Sequence, residues 1–387
     1  RILVEDKTKS YGDPSSENML IHGDNLIALK ALEQEFAGRI NCIYIDPPFN
    51  TGSRINADGD EVGYEDGIEH SEWLNMMRLR FEILKALLTE DGIIIVHLDD
   101  KEFAYCKVLM DEIFLRSNYL NSITMTTNDP SGFKATGAKI FSTANYLLVY
   151  AKDKPKAKIN KVFIPKEYDA AYSKIFIDKN GSYKNWRWVS LKDFVCEKEG
   201  YDNSKDALSK IGYKKFDMLV EKYAIENAEN VFRTAAIGGG AKIKRQATIN
   251  LSKKYKNEIF VHDGEDVEDF YIMNGEQILF YHKRLENIDG KIVPAQAITD
   301  VWTDISWTGI AGEGKVVFKN GKKPELLIKR ILDIFSDKND WILDSFLGSG
   351  TTASVAHKMG RKYIGIEMAN HCYTHCLQRL MNVVDGV

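Results

Sequence analysis

Short apolar runs alternate with amphipathic segments in the first part of the chain. The run Ile40 to Ile45 predicts a strand that ends at Asp46, and the run Ile93 to Leu98 predicts a second, buried strand. Between these strands, apolar residues recur at helical spacing over 72–89, and a further helix is predicted over about 101–115. Strands and helices that alternate in this way are typical of a parallel sheet covered by helices.

The same alternation returns near the end of the sequence. The pattern predicts, in order, a helix over about 324–335, a strand at 341–343, a helix over about 352–359, a strand at 363–367 and a helix over about 370–383. We therefore expect this part to share the α/β architecture of residues 19–150.

Residues 151–300 have a different texture. Lysines crowd the beginning of this block, aromatic residues such as Trp186 and Trp188 follow, and Gly238 to Gly240 lead into further basic residues. The hydrophobic periodicity is weak, with short strands such as 277–281 at best. These features predict a separate, mostly irregular α+β domain, whose lysine runs are by default a solvated surface.

The length and composition are those of an ordinary globular protein. The chain has 387 residues, of which 44% are hydrophobic and 28% charged, so we expect two domains or one domain with an insertion. No apolar run approaches the roughly 18 residues that cross a bilayer, and we therefore expect no membrane span. No signal-peptide pattern opens the sequence, and the first residue is Arg1 rather than Met, so we expect the natural protein to be longer.

Charge and cysteine content narrow the function classes. The formal net charge is -4, so binding of a nucleic acid would have to use a local basic patch. Five cysteines are scattered without a framework spacing, which argues against a disulfide scaffold and for a cytoplasmic, reducing location.

A glycine-containing turn, Asp344 to Thr352, is predicted between a strand and a helix. Glycines such as Gly348 and Gly350 let the backbone approach a ligand closely, and the helix start offers free N–H groups. Glu367 ends the next predicted strand, where a carboxylate can accept hydrogen bonds from ribose hydroxyls. Together these residues indicate a site for an adenosine-containing cofactor, whereas for the turn alone a tight turn without function fits equally well.

The segment Asp46-Pro47-Pro48-Phe49 follows directly after the first predicted strand. The two prolines remove two N–H donors and restrict the backbone. An exocyclic amine of a nucleobase is a poor nucleophile because its lone pair is delocalised into the ring. The carboxylate of Asp46 and the carbonyl of Pro47 can accept its two N–H bonds and localise that pair, and the ring of Phe49 can stack on an extruded base. For the tetrapeptide alone, a rigid turn at a strand end is an equal alternative.

At these residues the sequence resembles the DNA amino-methyltransferases, with 46–49 matching their motif IV and 346–350 their motif I. Motif IV precedes motif I, which is the order of their permuted beta group. Further stretches are similar to the modification subunits of type III restriction-modification systems: Gly23-Asp24-Asn25-Leu26, Asp46 to Ser53, Ser71 to Met77, Asp91-Gly92-Ile93, Leu98-Asp99-Asp100, Trp307 to Ile310 and Asn320 to Glu325.

The resemblance implies a Rossmann-like methyltransferase fold with a seven-stranded, mostly parallel sheet and an inserted α+β target-recognition domain. The methyltransferase domain would comprise residues 1–150 and 301–387, and the target-recognition domain residues 151–300. The implied cofactor is S-adenosylmethionine, without a metal. The implied activity is site-specific methylation of the N6 amino group of an adenine flipped out of double-stranded DNA.

The resemblance also implies the roles of individual residues. Asp46, Pro47, Pro48 and Phe49 form the catalytic motif, in which Asp46 and Pro47 bind the amine and Phe49 stacks. The cofactor would be held by Phe346, Gly348, Gly350 and Thr351 at its methionine end, Asp344 near its amino group, Glu367 at the ribose, Asp24 near the adenine, and Lys323 and Pro324 as a motif-X wall. The family often has Tyr in place of Phe49, a change that preserves stacking and removes a hydroxyl.

The expected partners are double-stranded DNA, a second copy of the chain in a homodimer, and a restriction (Res) subunit. Three alternatives stay open. Cytosine-N4 methylation uses the same amine chemistry, although within the family Asp at position 46 leans to adenine. Methylation of glutamine or RNA is usual in relatives that carry Asn in place of Asp46. A DNA-binding subunit that has lost catalysis is the third alternative.

At 371–376, two His and two Cys each recur four residues apart on a predicted helix, a spacing that could ligate zinc. Adjacent side chains on a helix point in different directions, so packing of this helix on the sheet is the better interpretation. His22 and His97, on or beside predicted strands, are interpreted as structural.

Overall fold

Two compact units make up the computed structural model. One unit combines Arg1–Val162 with Thr299–Val387, and the other comprises Phe163–Ile298. The structure describes residues 2–50, 53–54, 65–66, 69–127, 140–262, 270–318 and 321–386. Thr51, Gly52 and Asn320, which belong to motif stretches named above, lie outside the described residues.

The helices and strands follow the chain in three stretches. The first unit begins with β1 (Met19–His22), α1 (Asn25–Phe36), β2 (Ile40–Ile45), β3 (Ser53–Arg54), β4 (Glu65–Asp66), α2 (His70–Leu87), β5 (Leu88–Leu98), α3 (Asp100–Met110), β6 (Tyr119–Thr126) and β7 (Ala144–Ala151). The second unit contains β8 (Phe163–Pro165), β9 (Lys174–Asp178), β10 (Arg187–Ser190), α4 (Leu191–Glu199), α5 (Ser204–Ile211), α6 (Tyr213–Glu226), β11 (Val231–Ala236), α7 (Gly239–Lys244), α8 (Gln246–Lys254), β12 (Ile259–His262), β13 (Phe270–Met273), β14 (Glu276–Phe280), β15 (Leu285–Ile288) and β16 (Lys291–Ala297). The first unit ends with β17 (Val301–Trp302), α9 (Glu325–Phe335), β18 (Trp341–Asp344), α10 (Thr351–Lys358), β19 (Lys362–Glu367) and α11 (Gln378–Val384).

The main sheet lies in the first unit and, within the described residues, has eight strands in the order β1-β19-β18-β2-β5-β7-β6-β17. Neighbouring strands from β1 to β5 are parallel, and β7 runs antiparallel to both β5 and β6. The mostly parallel α/β sheet expected from the sequence is confirmed. The two-residue β17 is an eighth strand in addition to the seven that were expected. It pairs with Thr124 and Met125 of β6 and is too short to show any periodicity.

Nearly continuous apolar sequence explains why β2 and β18 are central. In β2 and β18, Ile43, Ile45 and Leu343 belong to one buried cluster together with side chains of α1, α2 and α3. Helix α10 packs on β18 and β19 and against α9 and α11. Strands covered by helices in this way are buried on both faces, which is why they consist of nearly continuous apolar runs.

The first unit extends further than the sequence suggested. We expected the second domain to begin at 151, but the second unit begins at Phe163. The intervening chain is bound to the first unit, since Lys152 N donates to Gly92 O at 2.9 Å and Asn160 N to Ile334 O at 2.8 Å. The early lysines also find partners in the first unit: Lys152 and Lys156 contact Glu90, and Lys158 pairs with Asp337.

The second unit is more regular than the mostly irregular domain that the sequence predicted. Its described residues form a six-stranded sheet, β10-β9-β11-β14-β13-β12, and a three-stranded sheet, β15-β16-β8. The pairings in these sheets are antiparallel. Strands of three to seven residues show few alternations, and pairing between β9 and β11 joins distant segments, so single-sequence periodicity misses this order.

Two further features concern the cysteines and the helices. Each of the five cysteines lies in the described part of the chain, buried and without a disulfide partner. None of the helices in the described ranges combines the length and apolar content of a membrane span.

The second unit has an apolar core of its own around Phe232, which is fully buried and stacks on Phe176 with ring centroids 4.2 Å apart. We expect Phe232→Ala to lower the free energy of local opening by about 3–5 kcal/mol, because it leaves a cavity. Amide hydrogen exchange should speed up in 163–298 and stay unchanged in β18. The exposed Tyr213→Ala is the control, and equal acceleration in both units would contradict separate cores.

Candidate active site

Three carboxylates lie at the carboxyl ends of adjacent parallel strands. Asp344 ends β18, Glu367 ends β19, and Asp46 follows β2 directly. Because β18 pairs with β19 on one side and β2 on the other, the three residues share one edge of the sheet. Ligands of open α/β sheets bind outside this edge, where the strand order changes direction.

The glycine turn after β18 is organised by Asp344. One carboxylate oxygen accepts a hydrogen bond from Phe346 N at 2.9 Å, and the other accepts one from Thr352 Oγ1 at 2.6 Å. Burial raises the pKa of Asp344 to about 7, these hydrogen bonds oppose the rise, and the charges of Asp46 and Glu367 add to it. The negative charges of the other two carboxylates at this end of the sheet therefore disfavour ionisation of Asp344.

Two glycines give this turn its shape. Gly348 and Gly350 have φ of 57° and 79°, a left-handed conformation that is costly for other residues. A Cβ on Gly350 would lie 3.2 Å from the Cα of Cys376, so the backbone there is also closely packed. A Cβ on Gly348 would meet nothing closer than the carbonyl of Phe346 at 4.0 Å, and this part of the turn is open to a ligand.

Glu367 ties the turn to the second strand end. Its Oε2 accepts a hydrogen bond from Gly348 N at 2.8 Å, and its Oε1 accepts from the backbone of Met368 at 2.9 Å. Its carbonyl accepts from Gly23 N at 3.0 Å, which places the neighbouring Asp24 at the same edge. Asp24 also caps α1, since its carboxylate accepts a hydrogen bond from Ile27 N at 3.0 Å.

Two residues expected at the cofactor are turned into the protein. The ring of Phe346 belongs to the main apolar core. The hydroxyl of Thr351 accepts a hydrogen bond from Arg379 at 2.7 Å, and both residues are buried. Their side chains are thus engaged by the core and by the arginine, and their expected place at the methionine end of the cofactor stays a prediction.

Buried polar residues missed in the sequence support the turn from two sides. Arg379, with no exposed surface, donates to Thr351 and also to Glu325 at 2.7 Å. On the other side, Arg80 donates to Asn25 at 2.7 Å, and Asn25 donates to the carbonyl of Ser345 at 2.8 Å. Asn25 belongs to the motif stretch Gly23 to Leu26, whereas no local pattern in the sequence marks the two arginines.

The Asp-Pro-Pro-Phe segment is held rigidly by α2 and α3. The indole N–H of Trp73 donates a hydrogen bond to the carbonyl of Pro48 at 2.8 Å. This hydrogen bond does not involve the carbonyl of Pro47. Asn50, with φ of 58°, donates to the buried Glu102 at 2.8 Å. A left-handed conformation at a residue other than glycine is strained and persists when its surroundings hold it, as this pair does.

Asp46 has two unlike carboxylate oxygens. Lys323 Nζ donates a hydrogen bond to Oδ2. Oδ1 is buried and has no hydrogen-bond partner among the described residues. Burial raises the pKa of Asp46, and the charge and hydrogen bond of Lys323 oppose that rise. The structure places the ammonium of Lys323 on this carboxylate, with buried Pro324 next to it at the start of α9. The expected role of both residues in the wall of the cofactor site stays a prediction.

A group of aromatic side chains lies beside Asp46. His97 is fully buried, with Tyr44 Oη 2.9 Å from Nδ1 and Asn145 Nδ2 3.0 Å from Nε2. Its ring lies 5.6 Å from the ring of Phe49 and 6.2 Å from that of Trp307. Burial, and then the charge of Lys323, lower the pKa of His97 well below its usual range, so its ring is neutral.

Two of the His and Cys residues of 371–376 contact other parts of the first unit. Cys376 Sγ donates to the carbonyl of Gly348 at 3.0 Å, and His375 Nε2 lies 3.1 Å from the carbonyl of Val317. Among the described residues, no group of three or more His, Cys, Asp and Glu side chains is arranged to hold a metal ion. His22, on β1, lies 2.9 Å from the hydroxyl of Tyr373.

Comparison with known proteins identifies the family. The family model described as "DNA methylase", for N6 and N4 methyltransferases, matches residues 40–377, which include β2, the glycine turn and Glu367. The chain belongs to this DNA methylase family.

Among curated proteins, the chain is similar to modification subunits of type III systems. It is 36% identical to the probable type III restriction-modification enzyme HindVI Mod subunit of Haemophilus influenzae, over 99% of this chain and 52% of that protein. It is 26% identical to the EcoPI Mod subunit of Escherichia phage P1, over 94% of this chain and 59% of that protein. The chain thus spans a little over half the length of these relatives.

Among solved structures, one match is the PvuII DNA methyltransferase described as cytosine-N4-specific. It is 11% identical, with a TM-score of 0.44 over 96% of this chain and 92% of that one.

The raised pKa of Asp344 has a consequence for stability. At pH values between the pKa of Asp344 in the unfolded protein and its higher pKa in the folded protein, the folded state binds more protons. The free energy of unfolding therefore falls as the pH rises toward about 7. From about pH 5 to about pH 8 this cost grows by roughly 3 kcal/mol. Because Asp344→Asn removes the ionisation, we expect the stability of this variant relative to the wild type to rise by that amount over the same interval.

Denaturant titrations at several pH values measure this difference. Glu197→Gln, an exposed change on α4 that also removes one negative charge, is the matched control and should show no such trend. A pH dependence of Asp344→Asn that parallels the wild type throughout would contradict the assignment.

Proposed function

We propose that the chain transfers a methyl group from S-adenosylmethionine to the N6 amino group of adenine in duplex DNA. In this proposal it is the modification subunit of a type III restriction-modification system, as its relatives are named. The proposal rests on the geometry of Asp46, a carboxylate on a rigid loop beside the glycine turn. One of its oxygens is bound, and the other is buried and has no hydrogen-bond partner among the residues that the structure describes.

The residues around the glycine turn fit S-adenosylmethionine. The open face of Gly348 leaves room for the ligand. Glu367 and Asp24 offer acceptors for ribose hydroxyls and the adenine end, and Asp344 offers a carboxylate for the amino group of the methionine end. A cation bound there favours the ionised form of Asp344 and lowers its pKa from about 7. When bound, the cofactor supplies a methyl group on a sulfonium.

Asp46 and Pro47 perform the activation of the amine. The Asp46 Oδ1 and the Pro47 carbonyl each accept one N–H bond of the exocyclic amine, which draws the nitrogen toward tetrahedral geometry. Its lone pair then projects away from the ring, where it would be available to a methyl donor. The bound cofactor would supply the methyl group from its sulfonium, and the amine proton would leave after the transfer. The step thus requires no general base before attack.

Phe49 and the surrounding rings receive the base. An amine inside a duplex cannot approach a buried carboxylate, so the base has to leave the stack and enter the protein. The ring of Phe49 is half-buried beside His97, where one face of a purine can stack on it. Because His97 is neutral, it adds no positive charge next to an amine that becomes cationic during the transfer.

The second unit is proposed to recognise the target. Residues 238–257, which include α7 and α8, contain the following cations and no Asp or Glu: Lys242, Lys244, Arg245, Lys253, Lys254 and Lys256. The overall charge of the chain is negative, so a stretch of one sign is the kind of local patch that contacts phosphates. By contrast, α6 mixes lysines with acidic residues.

The assembly and location remain part of the same proposal. A restriction subunit is the expected partner because the similar proteins are named as Mod subunits of type III enzymes. A homodimer is expected from the same resemblance, and the five unpaired thiols favour a reducing, cytoplasmic location.

The first test removes the carboxylate. Asp46→Asn keeps the size of the side chain and replaces one acceptor by a donor, so we expect methyl transfer to duplex DNA to fall by about a thousandfold or more. Cofactor affinity, measured by calorimetry, should stay within about threefold, because Asp46 lies at the amine and not at the glycine turn. Glu197→Gln is the control for loss of a negative charge.

The methylated nucleoside that the wild type produces distinguishes adenine from cytosine as the target base. Digestion of methylated DNA to nucleosides should give N6-methyl-2′-deoxyadenosine, whereas N4-methyl-2′-deoxycytidine would replace the proposal by cytosine-N4 methylation. Label found in protein or RNA and not in duplex DNA would refute it, as would normal turnover by Asp46→Asn.

The second test concerns the basic stretch. If Lys242 and Lys244 each contact a phosphate, replacing both by Ala lowers the magnitude of the salt slope of DNA binding by about 2, at roughly 0.9 per contact. Binding at several salt concentrations measures the slope. Replacing Lys214 and Lys215 of α6 by Ala removes two exposed lysines elsewhere and should change it little. Equal effects of the two double variants would place the DNA contact elsewhere.

A further inference from the structure

Lys323 contacts Asp46 in a defined way. Its side chain is only 10% exposed, and its ammonium donates to Oδ2 of Asp46 and to the carbonyl of Gly321 at 3.3 Å. The same ammonium lies 5.3 Å from the centre of the Phe49 ring. Lys323 therefore touches both side chains that the amine site requires, although 277 residues separate it from Asp46.

The contact makes the two oxygens of Asp46 unequal. Oδ2 is used by the ammonium, while Oδ1 is buried and has no hydrogen-bond partner in the described part of the chain. Nδ1 of His97 lies 4.0 Å from Oδ1, and that nitrogen already pairs with the hydroxyl of Tyr44. A buried oxygen without a partner is costly, so Oδ1 is ready to accept an N–H bond.

The other titratable groups around Asp46 do not replace the lysine. His97 from β5 is neutral, and burial raises the pKa of Tyr44 from β2 well above its usual range. Asp344 from β18 carries negative charge when ionised, which disfavours a second carboxylate nearby. Lys323 is thus the cation that compensates the charge of Asp46 among the described residues.

We propose that Lys323 is a positioning residue of the amine site: it holds Oδ2 of Asp46 so that the carboxylate stays charged and directs Oδ1 toward the amine. The inference rests on the proposed amine methylation. A protonated carboxyl would turn one acceptor into a donor and lose the grip on the amine. With Oδ2 bound, Asp46 presents a single acceptor in a fixed direction.

The experiment compares Lys323→Met with Lys323→Arg. Met keeps most of the length and removes the charge, whereas Arg keeps the charge and the hydrogen bonding. The rate of methyl transfer at saturating cofactor and DNA is measured against pH. For Lys323→Met we expect the acid limb of the pH–rate profile to move to higher pH by about one unit or more. On that limb the rate falls about tenfold for each pH unit. Lys323→Arg should keep the limb within about 0.3 units.

Cofactor affinity separates this role from that of a cofactor wall. Calorimetry should give a cofactor dissociation constant for Lys323→Met within about threefold of the wild type. Lys329→Met on α9, which removes a lysine charge at a site 43% exposed, is the matched control. An unmoved acid limb, with cofactor binding weakened tenfold, would overturn the inference.

A second readout does not depend on turnover. In protein with carbon-13-labelled aspartate, the carboxyl signal of Asp46, assigned by its loss in Asp46→Asn, reports its ionisation in the absence of cofactor. Its midpoint should be higher in Lys323→Met than in the wild type, and an equal midpoint overturns the role of Lys323. If the wild type transfers no methyl group, the proposed function fails, and this titration still decides the inference.

Discussion

The carboxylate of Asp46 sits at the end of a strand buried on both faces, and the rest of the site follows from keeping a charge there. Desolvation opposes its ionisation, and one ammonium, from Lys323, opposes the desolvation. A buried ion pair stabilises a fold little on balance, since its attraction mainly offsets lost hydration. In the proposed mechanism its value lies in leaving Oδ1 of Asp46 as an acceptor that no described residue satisfies, a situation that a well-packed core otherwise avoids.

The sheet brings distant segments of the chain to this carboxylate. Parallel strands order their carboxyl ends along one edge, so the end of β2 lies beside the end of β18 although the two segments are about 300 residues apart. The glycine turn after β18 and the Asp-Pro-Pro-Phe segment after β2 thereby face the same space. Rigid supports fix both: Arg379 and Asn25 hold the turn, and Trp73 and Glu102 hold the segment. Precise placement of reacting groups depends on such supports.

Local patterns in the sequence predict the local parts of this arrangement. The strand at 40–45 and the turn with Gly348 and Gly350 are confirmed, because apolar runs and left-handed glycines are set by neighbouring residues. The contact between Lys323 and Asp46 depends on the folded sheet, so no local pattern in the sequence predicted it. The regular sheet of the second unit and its start at Phe163 were missed for the same reason, since short antiparallel strands pair across long separations.

A structure of the protein with duplex DNA and a non-reactive analogue of the cofactor tests the central claim most directly. The account predicts an adenine outside the helix, its amino nitrogen about 3 Å from both Oδ1 of Asp46 and the carbonyl of Pro47. Lys323 should still hold the other oxygen of that carboxylate. An extruded base whose amino nitrogen binds elsewhere, with Asp46 turned away from it, would contradict the account.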